Sequence, residues 1–168
     1  MKLGSRNCLK KFTRRRFNFL DLASQIWYNG TMKLIIAGSR TFNLPVSFID
    51  QVIDLVDRFP TIIVCGCGSV DEVEAGKLHH ENKIVSDKGV DRTGEMWAKA
   101  NGLSINYCPA KWKKIGRVAG PKRNTEMANY GDALLLIWDG SSRGSADMKK
   151  KMQMRNKPIY EVIIRKSQ

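Results

Sequence analysis

Ala133 to Trp138 reads ALLLIW, six apolar residues in a row bracketed by Gly131-Asp132 and Asp139-Gly140. An apolar run this short, with no polar residue alternating, suits a strand. Leu34 to Ala37 is a second such run, and it stops at Gly38-Ser39-Arg40. A buried parallel strand stops in this way at a ligand-facing turn.

The remaining elements follow by spacing. Ile49, Val52, Ile53 and Val56 recur at helical intervals, which predicts a helix near 46 to 58 closed by Pro60. Thr61 to Val64 is β-branched and apolar and ends in Cys65-Gly66-Cys67-Gly68-Ser69, where glycine lets backbone approach a ligand. Residues 70 to 88 are polar and irregular and are read as an inserted, exposed loop or hairpin. A helix with Met96, Trp97 and Ala100 on one side follows, with Asp91 as its expected N-cap and Gly102 past its end. Leu103 to Cys108 is a third strand, Pro109 to Arg117 a basic loop around Trp112, and Pro121 the start of the next helix. Ser145 to Lys157 is a helix with Met148 and Met152 inward, and Ile159 to Ile164 a fifth strand. Strands alternating with helices predict a Rossmann-like α/β fold, a doubly wound, mostly parallel five-stranded sheet with helices on both faces. Ligands of such sheets bind at the carboxyl ends of the strands.

The formal charge of +13 is uneven. Residues 1 to 31 hold seven basic residues against Asp21 alone, leaving 22 basic and 15 acidic residues in the body. A surplus of that size suits an anionic small ligand as well as a polynucleotide. Residues 1 to 31 are read as a basic extension outside the domain, disordered or upstream of a functional start at Met32, with the domain spanning 32 to 168. A basic amphipathic arm or a targeting peptide are the other readings. No apolar run approaches membrane length, so no membrane partner is expected. Cys8, Cys65, Cys67 and Cys108 come without a secretory signal, which points to a reducing, cytoplasmic compartment. Cys65 and Cys67 with His79 and His80 make a poor zinc set, because two ligands one residue apart at a strand end are more often small core residues. No metal or cofactor is expected.

Two helix N-termini flank the strand 133 to 138, each with free N–H groups and the positive end of a dipole, a place to hold phosphate. Arg123 and Asn124 are expected in the first turn of the earlier helix, with Gly120 before them. Asp139, Gly140, Ser142, Arg143, Gly144 and Ser145 make up the second loop. Gly38, Ser39, Arg40, Gly66, Gly89, Asp91 and Arg92 complete the expected ligand-binding set. Arg123 and Arg143 are expected to grip one anionic group without being needed for folding; the bland reading pairs Arg123 with Asp139 or Asp132. Trp112 among Lys111, Lys113 and Lys114 either stacks a base or packs at the rim. None of the glycine loops matches a phosphate-loop ATPase motif or the dinucleotide fingerprint.

IIAGSRTF (35 to 42), GVDRTGEMWAKANG (89 to 102), PAKWKKIGRVAGPKRNTEMA (109 to 128) and DALLLIWDGSSRGSADM (132 to 148) together resemble the YspA-type branch of the SLOG superfamily. The resemblance runs from Met32 to about Arg165. It implies a Rossmann-like domain binding a nucleotide or nucleotide-derived ligand, as a sensing or processing module in the cytoplasm of a bacterium or of a phage's host. Relatives include the Lonely Guy phosphoribohydrolases and the DNA-processing protein DprA, so N-glycosidic cleavage of nucleotides and single-strand binding are the alternatives, the latter less favoured. The expected partners are a nucleotide-type small molecule and a second copy of the chain in a homodimer. The phosphoribohydrolases use an arginine in an Arg-Lys-x-x-Met run and a glutamate three residues after a Gly-Thr pair. Here Arg123-Asn124-x-x-Met127 keeps the arginine, but Met148 stands in the glutamate's position. Asp147 is one residue off, roughly 100° around the helix. For an enzyme the candidate catalytic residues are therefore Arg123, Glu95 and Asp139, with Asp91 as a further carboxylate.

Overall fold

The structure, a computed structural model, describes residues 30–165. The chain divides into two units, Met1–Gly30 and Thr31–Gln168, and the description below concerns the second. The expectations for residues 1 to 29 lie outside the described residues. No helix among the described residues is long and apolar enough to cross a membrane.

In chain order the elements are β1 (Lys33–Gly38), α1 (Val46–Val52) with a 3-10 turn (Ile53–Leu55), β2 (Ile62–Cys65), α2 (Glu72–His80) and α3 (Gly89–Ala100). Then come β3 (Ser104–Tyr107), α4 (Trp112–Ile115), a 3-10 turn (Gly116–Val118), α5 (Ala119–Tyr130), β4 (Ala133–Trp138), α6 (Arg143–Gln153) and β5 (Ile159–Ile163). The five strands form one all-parallel sheet in the order β3-β2-β1-β4-β5, the Rossmann-like fold expected. The chain first winds outward from β1 to β3, then returns to the other side of β1. The point of reversal, between β1 and β4, opens a crevice at the strands' carboxyl ends.

Strand pleating divides the core in two. Leu34, Ile36, Leu135 and Ile137 pack with Ile49 of α1 and Val90, Trp97 and Ala98 of α3. Ile35, Leu134, Leu136 and Trp138 pack with Met127 and Ala128 of α5 and Met148 and Met152 of α6. Both faces of β4 are covered, so all six of its residues are buried, and the unbroken apolar run follows from that. Gly38 lets β1 run against β4: a Cβ there would lie 1.7 Å from the Ile137 carbonyl oxygen.

Several boundaries differ from expectation. The 70 to 88 segment is neither a hairpin nor a simple loop, since it contains the nine-residue α2. Asp71 caps it by accepting from Val73 N at 3.2 Å, Glu72 and Glu74 occupy its first turn, and Lys77, His79 and His80 its last. That charge order complements the helix dipole. Its ends are pinned, because Cys65, Cys67, Val70, Ala75 and Val85 form a third apolar cluster. Lys88, not Asp91, is the N-cap residue of α3. The basic loop after β3 carries α4 and a 3-10 turn, and α5 begins at Ala119, before Pro121. Arg123 and Asn124 therefore sit in its second turn. The predicted first helix is α1 plus a 3-10 turn, and α6 starts two residues earlier than predicted and stops at Gln153.

Candidate functional site

A cleft of about 480 Å³ lies at the carboxyl ends of β1, β2 and β4. That volume is in the range of small-molecule sites. The loop after β1 brings Gly38, Ser39 and Arg40 to it, β2 brings Gly66, α3 brings Asp91, and α5 brings Arg123 and Asn124. Asp139, Ser142, Gly144 and Ser145 line it from the β4 to α6 loop. Eleven of the sixteen expected ligand-binding residues thus converge. Ala37, Thr41, Met127 and Met148 also line it and were not in that set. Met148 supplies a thioether to the cleft wall.

The other expected residues stand outside the lining. Gly89, at φ +73°, abuts Arg40, whose Cα would be 2.6 Å from a Cβ on it. Arg92 donates to the Ser86 carbonyl at 3.2 Å. Gly120 lies under the Trp112 ring. Gly140 makes the turn after Asp139 at φ +79°. Arg143 is exposed.

Glu95, a candidate catalytic residue, is excluded from the cleft by its burial. It is 0% exposed and accepts from Val85 N (2.8 Å), Ser86 N (2.7 Å) and Tyr107 Oη (2.9 Å). It anchors the far end of the 70 to 88 segment to α3 and β3. Asp139 does line the cleft, but its Oδ1 accepts from Ser141 N and Ser142 N, each at 3.0 Å. These backbone donors pull its carboxyl down to about 2. Because the folded value lies below that of a free carboxylate, the hold on the loop is complete above the ordinary carboxylate range and is lost as pH falls through about 2. Amide resonances of Ser141 and Ser142 followed by NMR should therefore titrate near pH 2; a midpoint near 4 would show that the loop does not hold Asp139.

Arg123 is 9% exposed, and its surroundings hold it firmly. Nη1 donates to the Gly66 carbonyl and Nε to Asn124 Oδ1 at 3.1 Å. Neither Asp132 nor Asp139 pairs with it, and no carboxylate among the described residues lies within ion-pair distance of it. Asn124 in turn donates to the Gly144 carbonyl (3.2 Å) and to Asp147 Oδ2 (2.8 Å), which Lys151 fixes at 2.6 Å. Asn124 thereby ties α5 to the first turn of α6, and Asp147 serves this bracing outside the cleft. Arg123, expected to be dispensable for folding, has a structural contact to lose, since its removal leaves the buried Gly66 carbonyl without that donor. Arg143, expected to share one anion with Arg123, lies outside the cleft lining.

Asp91 Oδ2 accepts from Gly68 N at 2.8 Å. Burial raises its carboxyl above the usual range, and the Arg123 charge works against that rise. Arg40 crosses the cleft edge, donating to Ser69 Oγ (3.1 Å) and the Gly68 carbonyl (3.3 Å), with its guanidinium 5.6 Å from the Trp112 ring centre. Trp112 packs on Gly120 at the rim and is half-buried. Cys65 shares a hydrogen bond with Ser86 Oγ, Cys67 donates to the Cys65 carbonyl, and His79 packs on Tyr107. Among the described residues no three His, Cys, Asp or Glu side chains are grouped to hold a metal ion.

Of the two helix N-termini that flank β4, one faces the cleft. The side of α5, and not its N-terminus, faces the cleft, whereas α6 points its first turn there through Gly144 and Ser145. The first intrahelical bond of α6 is Ala146 N to Ser142 O, so the N–H groups of residues 143 to 145 have no acceptor within the helix.

Compared with protein-family models, with curated proteins and with solved structures, the chain finds no match.

Proposed function

We propose that the cleft binds a phosphate-bearing, ribose-containing nucleotide or nucleotide-derived ligand, as a sensing or processing module of the SLOG type. One observation carries this reading: the first turn of α6, whose N–H groups lack acceptors within the helix, lines the same cleft as a buried guanidinium with no carboxylate among the described residues within ion-pair distance. A buried arginine is stable where an anion completes it, and a helix N-terminus favours the same charge. The motif resemblance points to the same ligand class. Isothermal titration with AMP, ADP-ribose and NAD tests the reading, and folded protein that binds none of them at millimolar concentration would refute it.

Arg123→Lys should weaken AMP by roughly tenfold, since one charge-assisted hydrogen bond contributes about 1.5–3 kcal/mol. Adenosine should lose much less. The melting temperature should also fall, because lysine cannot serve both the Gly66 carbonyl and Asn124. Equal losses for AMP and adenosine would show that Arg123 braces the fold without reading phosphate.

N-glycosidic cleavage is kept as a second reading on the strength of Asp91, a carboxylate that lines the cleft beside Arg123. Stabilising an oxocarbenium-like state needs a carboxylate near the sugar. Release of free base from AMP, absent in Asp91→Asn, would support it. DprA-like strand binding draws less support: Lys111 and Lys114, beside Trp112, are paired with Glu72 at 3.5 and 2.6 Å.

A further inference from the structure

The cleft presents three chemically different walls. Its anion pole is the first turn of α6. Ala37, Met127 and Met148 give it an apolar wall, suited to a planar base. The third wall is Asp91 beside Arg123 at the end of β2. Both side chains close on Gly66: an ideal Cβ there would lie 2.7 Å from Arg123 Nη1 and 3.0 Å from Asp91 Oδ2. Glycine is what lets the pair approach the backbone.

Each member of the pair has one edge occupied and one edge open. Asp91 Oδ2 takes the Gly68 N–H, while Oδ1 has no partner among the described residues. Arg123 spends Nη1 and Nε on Gly66 and Asn124, while Nη2 has no partner among them. Oδ1 is a fixed acceptor open to the cleft. Two vicinal hydroxyls, each able to donate, satisfy it and leave the Arg123 guanidinium to the phosphate.

Resting on the nucleotide reading above, we propose that Asp91 is the specificity-determining residue of the site, accepting hydrogen bonds from the ribose cis-diol so that ribonucleotides are preferred to 2′-deoxyribonucleotides. A hydroxyl that meets Oδ1 replaces the water it loses. A deoxy sugar leaves a desolvated carboxylate oxygen unpaired, which is costly in a partly buried site.

The test is a titration of AMP and dAMP against the full chain and against Asp91→Asn. Asparagine must turn its carbonyl to Gly68 N, so its amide puts a donor where Oδ1 accepted. The wild-type protein should bind AMP at least tenfold more tightly than dAMP, and Asp91→Asn should bring the two within about threefold by weakening AMP. Wild-type protein that binds both equally overturns the proposal while the nucleotide reading stands; so does a ribose preference that survives Asp91→Asn. Discrimination of AMP from IMP without discrimination of AMP from dAMP also overturns it, assigning Asp91 to the base edge. No binding of either nucleotide at millimolar concentration overturns the nucleotide reading itself. Should Asp91→Asn not fold, the wild-type ratio decides alone: tenfold or more supports the proposal, parity overturns it.

Discussion

Glu95→Ala is expected to destabilise the protein by about 3–5 kcal/mol, the range for removing one partner from a buried charged network. The carboxylate is fully buried, and its removal strands three donors at once, Val85 N, Ser86 N and Tyr107 Oη. Lys99, 3.9 Å away and one turn along α3, loses its counter-charge as well. Glu95→Gln should be intermediate, because an amide offers one acceptor and turns a donor toward a donor. Thermal unfolding should show the alanine variant melting roughly 10 °C or more below wild type. An unchanged melting temperature with loss of AMP binding would place Glu95 in the site instead.

The sheet was legible because its central strands are covered on both faces, a condition that only unbroken apolar runs such as ALLLIW and LIIA meet. The boundaries of α5 and α6 were less so, since proline and serine starts mark a preference and tertiary contacts move the first turn. The α2 helix was missed for a physical reason: only Ala75 and Leu78 turn inward, so apolar periodicity is faint. The signal present was Asp71-x-x-Glu74, an acidic cap and first turn before a basic end. The loops after β1 and β4, read from the sequence as ligand-facing, do line the cleft. The partners that set each residue's role lie far away in sequence. Arg123 is bonded to Gly66, 57 positions earlier, and Glu95 to a segment whose polar composition suggested an exposed excursion. An arginine or glutamate at such positions is indistinguishable by pattern from a surface one, and only the fold assigns one to the cleft and the other to an anchor.

Gly144→Asp is expected to have the largest effect on binding, without harming the fold. A Cβ at Gly144 meets nothing within 4 Å, and the position lies in the first turn of α6. An acidic residue there suits the helix dipole, and replacing glycine improves helix propensity, so the free protein should be as stable as wild type or slightly more. The same carboxylate occupies the pole at which a ligand phosphate would sit, competing for the free N–H groups and repelling a second negative charge. Loss of about 3 kcal/mol of phosphate contacts corresponds to roughly a hundredfold in affinity. The deciding measurement is isothermal titration of AMP and adenosine into wild type and Gly144→Asp at matched ionic strength. If the start of α6 is the anion pole of a nucleotide site, AMP affinity falls by roughly a hundredfold in the variant while adenosine affinity changes by less than about threefold. AMP binding that is unchanged in a folded Gly144→Asp protein would contradict it.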